Sequence, residues 1–215
     1  LARQLCGLEH PETGEVLYQG SSTRKLTREQ TRLFRRDVQM VFQDSPSAVD
    51  PRMTVKSIIE EPLRHLTELN GEQRLTRMVD LLVMVELPKD LLNKLPSQIS
   101  GGQLQRVCIA RALAANPKLI ILDEAVSNLD THLQASALKL LIKLQDSQKV
   151  SYLFVTHDLR LVERFADRIL VMQDGRFVEE QNNGDIGGLS HPASVELKNA
   201  ILPALPQRKL IMEPA

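Results

Sequence analysis

A chain of 215 residues and 24.2 kDa suits one domain, or one and a half. Hydrophobic residues are 42% and charged residues 25%, the composition of a globular protein with a core. Lys+Arg and Asp+Glu are both 27, and this balance speaks against a dedicated nucleic-acid binder. No run approaches the ~20 apolar residues of a membrane-spanning helix. Trp is absent and aromatics are 3%, too few for a single-strand stacking platform. Cys6 and Cys108 stand far apart, which suits a reducing compartment rather than a disulfide framework.

The chain opens on Leu1-Ala2-Arg3-Gln4-Leu5, read as the back part of a helix closed near Gly7. It has no charged and then apolar leader of the secretory kind. Pro11 to Gly14 is a turn, and Glu15 to Tyr18 a short strand. Thr27, with Gln30 three residues on, has capping-box spacing and opens a helix to about Arg36. Val38 to Phe42 is an apolar strand, and residues 43–53, with two prolines, are a loop. Helices follow over Thr54–Leu63 and Glu72–Val85, then a connector bracketed by Pro88 and Pro96.

Ser100-Gly101-Gly102 precedes a helix to Ala115. Leu119 to Leu122 is a continuous apolar run, the form of a parallel strand covered on both faces. Leu133–Leu144 is a helix, Tyr152–Val155 a strand, Leu159–Ala166 a helix and Ile169–Met172 a strand. Asp174-Gly175 is a hairpin turn leading into Arg176 to Glu179. Residues 182–190 read as a linker, and the tail from His191 holds one amphipathic helix at most. Strands alternating with helices predict an α/β fold around a mostly parallel sheet.

Several residues at element ends are candidates for chemistry. Asp123 and Glu124 close the run Leu119–Leu122, and ligands of open α/β sheets bind at the carboxyl ends of strands. One acid could hold Mg²⁺ while its neighbour polarises a water. Ser100-Gly101-Gly102-Gln103 starts a helix, where free N–H groups and the helix dipole suit phosphate. His157 ends another strand and could touch a phosphate or the attacking water; Gln43 could reach Mg²⁺ or water. Taken singly, each has an ordinary explanation: an acidic loop start, a Ser N-cap, a structural His, a strand-end Gln, and for Asp130 the cap of the next helix.

Taken together and in order, they resemble the nucleotide-binding subunit of ATP-binding cassette (ABC) transporters. Val41-Phe42-Gln43-Asp44 resembles the Q-loop, and Ile99 through Val107, continuing to Leu113, the ABC signature and its helix. Leu119 through Glu124 resembles Walker B with the catalytic Glu. Ser127-Asn128-Leu129-Asp130 resembles the D-loop, and Thr156-His157-Asp158 the H-loop. Phe42-Gln43-Asp44, Asp50 through Val55 and Glu61-Pro62-Leu63 narrow the resemblance to the peptide and nickel importer group. Ala125 and Asn128, where most members have Pro and Ala, point to its nickel-importing branch.

The resemblance implies a P-loop cassette over residues 1–181, with a helical subdomain at about 44–115, then a linker and tail over 182–215. It implies ATP as substrate with Mg²⁺ held by Asp123 and Gln43, Glu124 as general base and His157 at the γ-phosphate. Ser100 to Gln103 would bind a partner's ATP in trans. The implied partners are a second ATP-binding subunit, two membrane permease subunits and, indirectly, a periplasmic solute-binding protein, without nucleic acid. The place would be the cytoplasmic face of the bacterial inner membrane. A dipeptide or oligopeptide importer is the alternative within the group. No G-x-x-x-x-G-K-[ST] occurs, and in the family residues like Leu1 to Glu9 follow that Walker A loop directly. The sequence is therefore expected to begin just after it, without the first strands. A non-catalytic half-site partner is the further alternative on that ground.

Overall fold

The computed structural model describes residues 1–126, 131–182 and 184–200. The chain forms two compact units, Leu1–Val155 and Thr156–Ala215.

In the first unit, helix α1 (Ala2–Leu5) ends at Cys6, and Gly7 turns the chain at φ +74°. A Cβ there would stand 2.8 Å from the Phe34 ring, so both the backbone and the space require glycine. Strands β1 (Leu17–Tyr18) and β2 (Ser21–Ser22) form a small antiparallel hairpin. Helix α2 (Arg28–Asp37) opens on the expected capping box: Thr27 Oγ1 accepts from the Gln30 N–H at 3.2 Å, and Gln30 Oε1 from the Thr27 N–H at 2.9 Å. Such a cap is worth about 1 kcal/mol.

Strand β3 (Val38–Val41) leads to the loop 42–54 and helix α3 (Val55–Leu66), capped by Thr54. The helix runs through Pro62 to Leu66 rather than stopping at Leu63. Its apolar face (Val55, Ile58, Ile59, Leu63) is almost wholly buried, and that burial outweighs the missing N–H of the proline. Helix α4 (Gly71–Met84) has a second capping box, from Asn70 and Gln73. Helix α5 (Gly101–Leu113) packs against α3, α4 and β3, and its Leu104, Val107, Cys108 and Ile109 are buried.

Strands β4 (Leu119–Asp123) and β5 (Ser151–Val155) flank helix α6 (Thr131–Gln148). The sheet order is β3-β4-β5, all parallel, as expected. Met40, Ile121 and Leu153 stand in register on one face, where α1 covers them with Ala2, Leu5 and Cys6. Asp37, 3% exposed, fastens the end of α2. It accepts from Lys118 Nζ at 2.6 Å, Tyr18 Oη at 2.8 Å and Arg36 Nη2 at 3.0 Å. Burial pushes its carboxyl up, but these donors outweigh it and hold the group below the usual carboxylate range.

The second unit holds helix α7 (Leu159–Phe165), the antiparallel hairpin β6 (Arg168–Gln173) and β7 (Arg176–Asn182), and helix α8 (Pro192–Asn199). Asp174 and Gly175 make the hairpin turn at φ +49° and +75°. The stretch read as a linker, residues 182–190, carries two packed apolar side chains, Ile186 and Leu189. Leu189 is 2% exposed and packs with Ile169, Val171 and Ile186. Glu179 accepts from the N–H groups of Ser190 at 2.7 Å and His191 at 3.2 Å, and from the Ser194 hydroxyl. The Ser194 bond is the leading cause that holds its carboxyl down at about 2. Among the described residues no helix is long and apolar enough to cross a membrane.

Candidate functional site

Parallel pairing of β3 with β4 sets Val41 beside Leu122, so both strands deliver their carboxyl ends to the same edge of the sheet. Phe42-Gln43 leaves one strand there, and Asp123-Glu124 leaves the other. Gln43 Nε2 donates to the Glu124 carboxylate at 2.8 Å. With that nitrogen engaged, the amide oxygen of Gln43 faces elsewhere. Asp123 is half-buried at the last position of β4. The structure thus joins Gln43 directly to Glu124 and sets Asp123 in register with Val155 of β5.

Glu124 turns sharply off the strand. Its φ is +46°, a left-handed conformation that costs a non-glycine residue of order 1 kcal/mol. Its N–H donates to the Val155 carbonyl at 2.9 Å. The two carbonyls that follow are also held. Gln105 Nε2, from within α5, donates to the Ala125 oxygen, and Gln134 Nε2, from α6, to the Val126 oxygen at 3.1 Å. Three bonds to three elements therefore fix the turn that carries Glu124.

Ser100, Gly101, Gly102 and Gln103 form the first turn of α5. Ser100 Oγ accepts from the Gln103 N–H at 3.2 Å, and Gln103 Oε1 from the Ser100 N–H at 2.9 Å. The cap uses these two side chains on each other and leaves the amides of the glycines as the turn's outward donors. Among the described residues, a Cβ at Gly101 would meet no atom within 4 Å, and one at Gly102 only Leu133 at 3.7 Å. Nothing among the described residues demands glycine at Gly101.

His157, exposed, belongs to the second unit. The neighbouring Asp158 caps α7 and pairs with Arg160 at 2.7 Å. The Arg160 guanidinium above all, with His157 a minor contributor, holds the Asp158 carboxyl below the usual range. Ser127, Asn128, Leu129 and Asp130 lie outside the described residues.

An Asp carboxylate and a Gln amide oxygen are hard oxygen donors of the kind Mg²⁺ takes. No group of three His, Cys, Asp or Glu side chains gathers among the described residues.

Sequence reasoning gave no role to Gln105, Gln134 or Arg106. Gln105 had a signal: an uncharged polar residue among Leu104, Val107 and Cys108 on the buried face of a helix must find a partner. Arg106 donates to the Val85 carbonyl and to Glu86, each at 2.8 Å, and to Ser136 Oγ at 2.9 Å, so it anchors α5 to the end of α4 and to α6. Those partners lie far off in sequence and left no local mark.

Comparison with known proteins adds to this geometry. The ABC transporter family matches residues 1–127. The chain is 60% identical over 208 residues to the nickel import ATP-binding protein NikE of Brucella abortus (strain 2308), covering 97% of this chain and 78% of that protein. It is 54% identical over 213 residues to NikE of Shigella boydii serotype 4, covering 99% and 80%. The fold is similar to the dimeric ATP-binding cassette MJ0796 in a post-hydrolysis state bound to ADP and Pi. There the TM-score is 0.73 with 34% identity, over 84% of this chain and 78% of that one.

Proposed function

The chain belongs to the ABC transporter family, and from that premise we propose that it is the ATP-hydrolysing subunit of a bacterial importer whose cargo is the nickel ion. The observation that carries the hydrolytic reading is the Gln43–Glu124 bond at the carboxyl ends of adjacent parallel strands. The likeness to two nickel import ATP-binding proteins supports the cargo.

Glu124 is the general base. Its carboxylate takes the proton of a water as the water oxygen bonds to the γ-phosphorus, and the bond from that phosphorus to the β–γ bridging oxygen breaks to leave ADP and phosphate. Gln43 orients the Glu124 carboxylate and reports the state of the nucleotide to the loop 43–53. Asp123 and Gln43 would hold Mg²⁺, which when bound neutralises charge on the β- and γ-phosphates. His157 steadies the γ-phosphate. Most of the rate gain is positioning and electrostatics rather than covalent chemistry.

Ser100 to Gln103 close on the ATP of a second ATP-binding subunit, and Ser127 to Asp130 are the D-loop of the cassette. Two permease subunits take up the closing motion, most directly through the surface from Gln43 to Leu63, and a periplasmic binding protein delivers the cargo. The chain works peripherally on the cytoplasmic face of the inner membrane. The ATPase domain is residues 1–181, with a helical subdomain at about 44–115, followed by a linker and C-terminal tail over 182–215.

A chromosomal Glu124→Gln strain tests the reading. It is expected to lose nickel-dependent enzyme activity at low external nickel, to regain it at high nickel, and to keep peptide uptake. Loss of peptide uptake with intact nickel supply would assign the cargo to the peptide branch instead.

A further inference from the structure

Gln105 stands one turn into α5, 3% exposed, on the helix whose first turn is Ser100 to Gly102. Its amide donates at 2.5 Å to the carbonyl oxygen of Ala125, the residue directly after Glu124. A carbonyl can only accept, so the NH₂ end of Gln105 must face it. The same helix also holds the loop after Gln43: Arg111 Nη1 donates to the Ala48 carbonyl at 2.7 Å. One rigid element therefore presents donors at its start and grips, along its flank, both segments whose side chains meet at 2.8 Å in the Gln43–Glu124 bond.

We propose that Gln105 is a positioning residue: a strut that sets the Glu124 turn according to the placement of α5, so that occupancy of the α5 start by the partner's nucleotide tunes hydrolysis at this chain's own site. This rests on the function proposed above. The turn is suited to such control. Glu124 sits in a left-handed conformation at φ +46°, which holds only while its surroundings impose it. The Ala125 carbonyl is buried, so loss of its donor leaves an unpaired acceptor that water does not readily replace. A small shift of α5 toward bound nucleotide thus moves the carboxylate that takes the proton.

The test uses the assembled transporter with Gln105→Met, which keeps the volume and removes the donor. The expected result is a fall in kcat of about tenfold, the worth of one buried hydrogen bond felt in the transition state. KM for ATP stays within about twofold of native, and the Hill coefficient for ATP drops toward one. A native kcat, or a loss confined to KM or to melting temperature, overturns the proposal. If Gln105→Met does not assemble, Gln105→Glu carries the test. Buried against a carbonyl, that carboxyl is favoured neutral and donates only when protonated. Its kcat relative to native is then expected to rise as pH falls from about 8 to about 6, and a flat ratio overturns the strut. Glu124→Gln separates the two failures. If that variant hydrolyses ATP, the reading of the site falls; if it is inert while Gln105→Met behaves as native, only the strut falls.

Discussion

Gln43 donates to the carboxylate of Glu124 at 2.8 Å across 81 residues of sequence. A glutamine at 124 keeps an oxygen to accept that bond but cannot take a proton. Glu124→Gln should therefore leave ATP binding intact and lower turnover by at least about a hundredfold, the scale of a lost general base. Size-exclusion chromatography with ATP should find a trapped closed dimer. Steady hydrolysis at native rate would remove Glu124 from the role.

Gly101 separates folding from function. An added methyl meets no atom of the described residues, and alanine restricts the unfolded chain. Gly101→Ala should leave stability unchanged or raise it by about 0.5 kcal/mol. Hydrolysis in the assembled transporter should nevertheless fall, because the methyl enters the face offered to the partner's phosphates. Thermal melts and ATPase assays on one preparation decide it; unchanged hydrolysis would show that no ligand approaches there.

Asp37 ties Tyr18, Arg36 and Lys118 at the junction of α2 and β3. Asp37→Asn removes the charge that these donors surround. Lys118 is 69% exposed, so its charge stays hydrated and the loss is modest. The expected destabilisation is about 1–3 kcal/mol in urea titration, with an unchanged slope. A midpoint equal to native would make the cluster ornamental.

Glu179 supplies a pH dependence confined to the second unit. Its folded carboxyl is held at about 2, below the ordinary 4.5. A depressed pKa stabilises fully above the unfolded value and is lost as pH falls through the folded one. Protection of the Ser190 and His191 amides from hydrogen exchange should accordingly hold above pH 4.5 and decline toward about 2. Glu179→Gln should show weak protection at every pH in that window. Equal protection in both would remove the carboxylate from the account.

Much of this architecture was legible because local rules and tertiary packing agree. Thr27 and Gln30 announce a helix start and make one, and the run Leu119–Leu122 is the buried parallel strand that it resembles. The failures have physical causes. Ser21-Ser22 pairs with Leu17-Tyr18, but a two-residue strand leaves no period. The sequence reading ends this helix at Leu63, yet the buried face of α3 carries it on to Leu66. The Gly- and Asn-rich stretch before Ser190 hides Ile186 and Leu189, which pack only because the hairpin offers a surface. At the site, sequence named Gln43 and Glu124 but not their bond. It could not find Gln105's partner, since Ala125 contributes only a main-chain oxygen.

The register that sets Val41 beside Leu122 also bears on how the chain folds. A parallel partner cannot reach β3 by a tight turn, so that strand waits while α3, α4 and α5 are completed. Those helices can settle early through contacts near in sequence, whereas the β3–β4 ladder carries a long loop-closure cost. The apolar residues of β3 stay uncovered during that interval, when association with another chain competes with folding. Gln43 and Glu124 meet only once that ladder has closed.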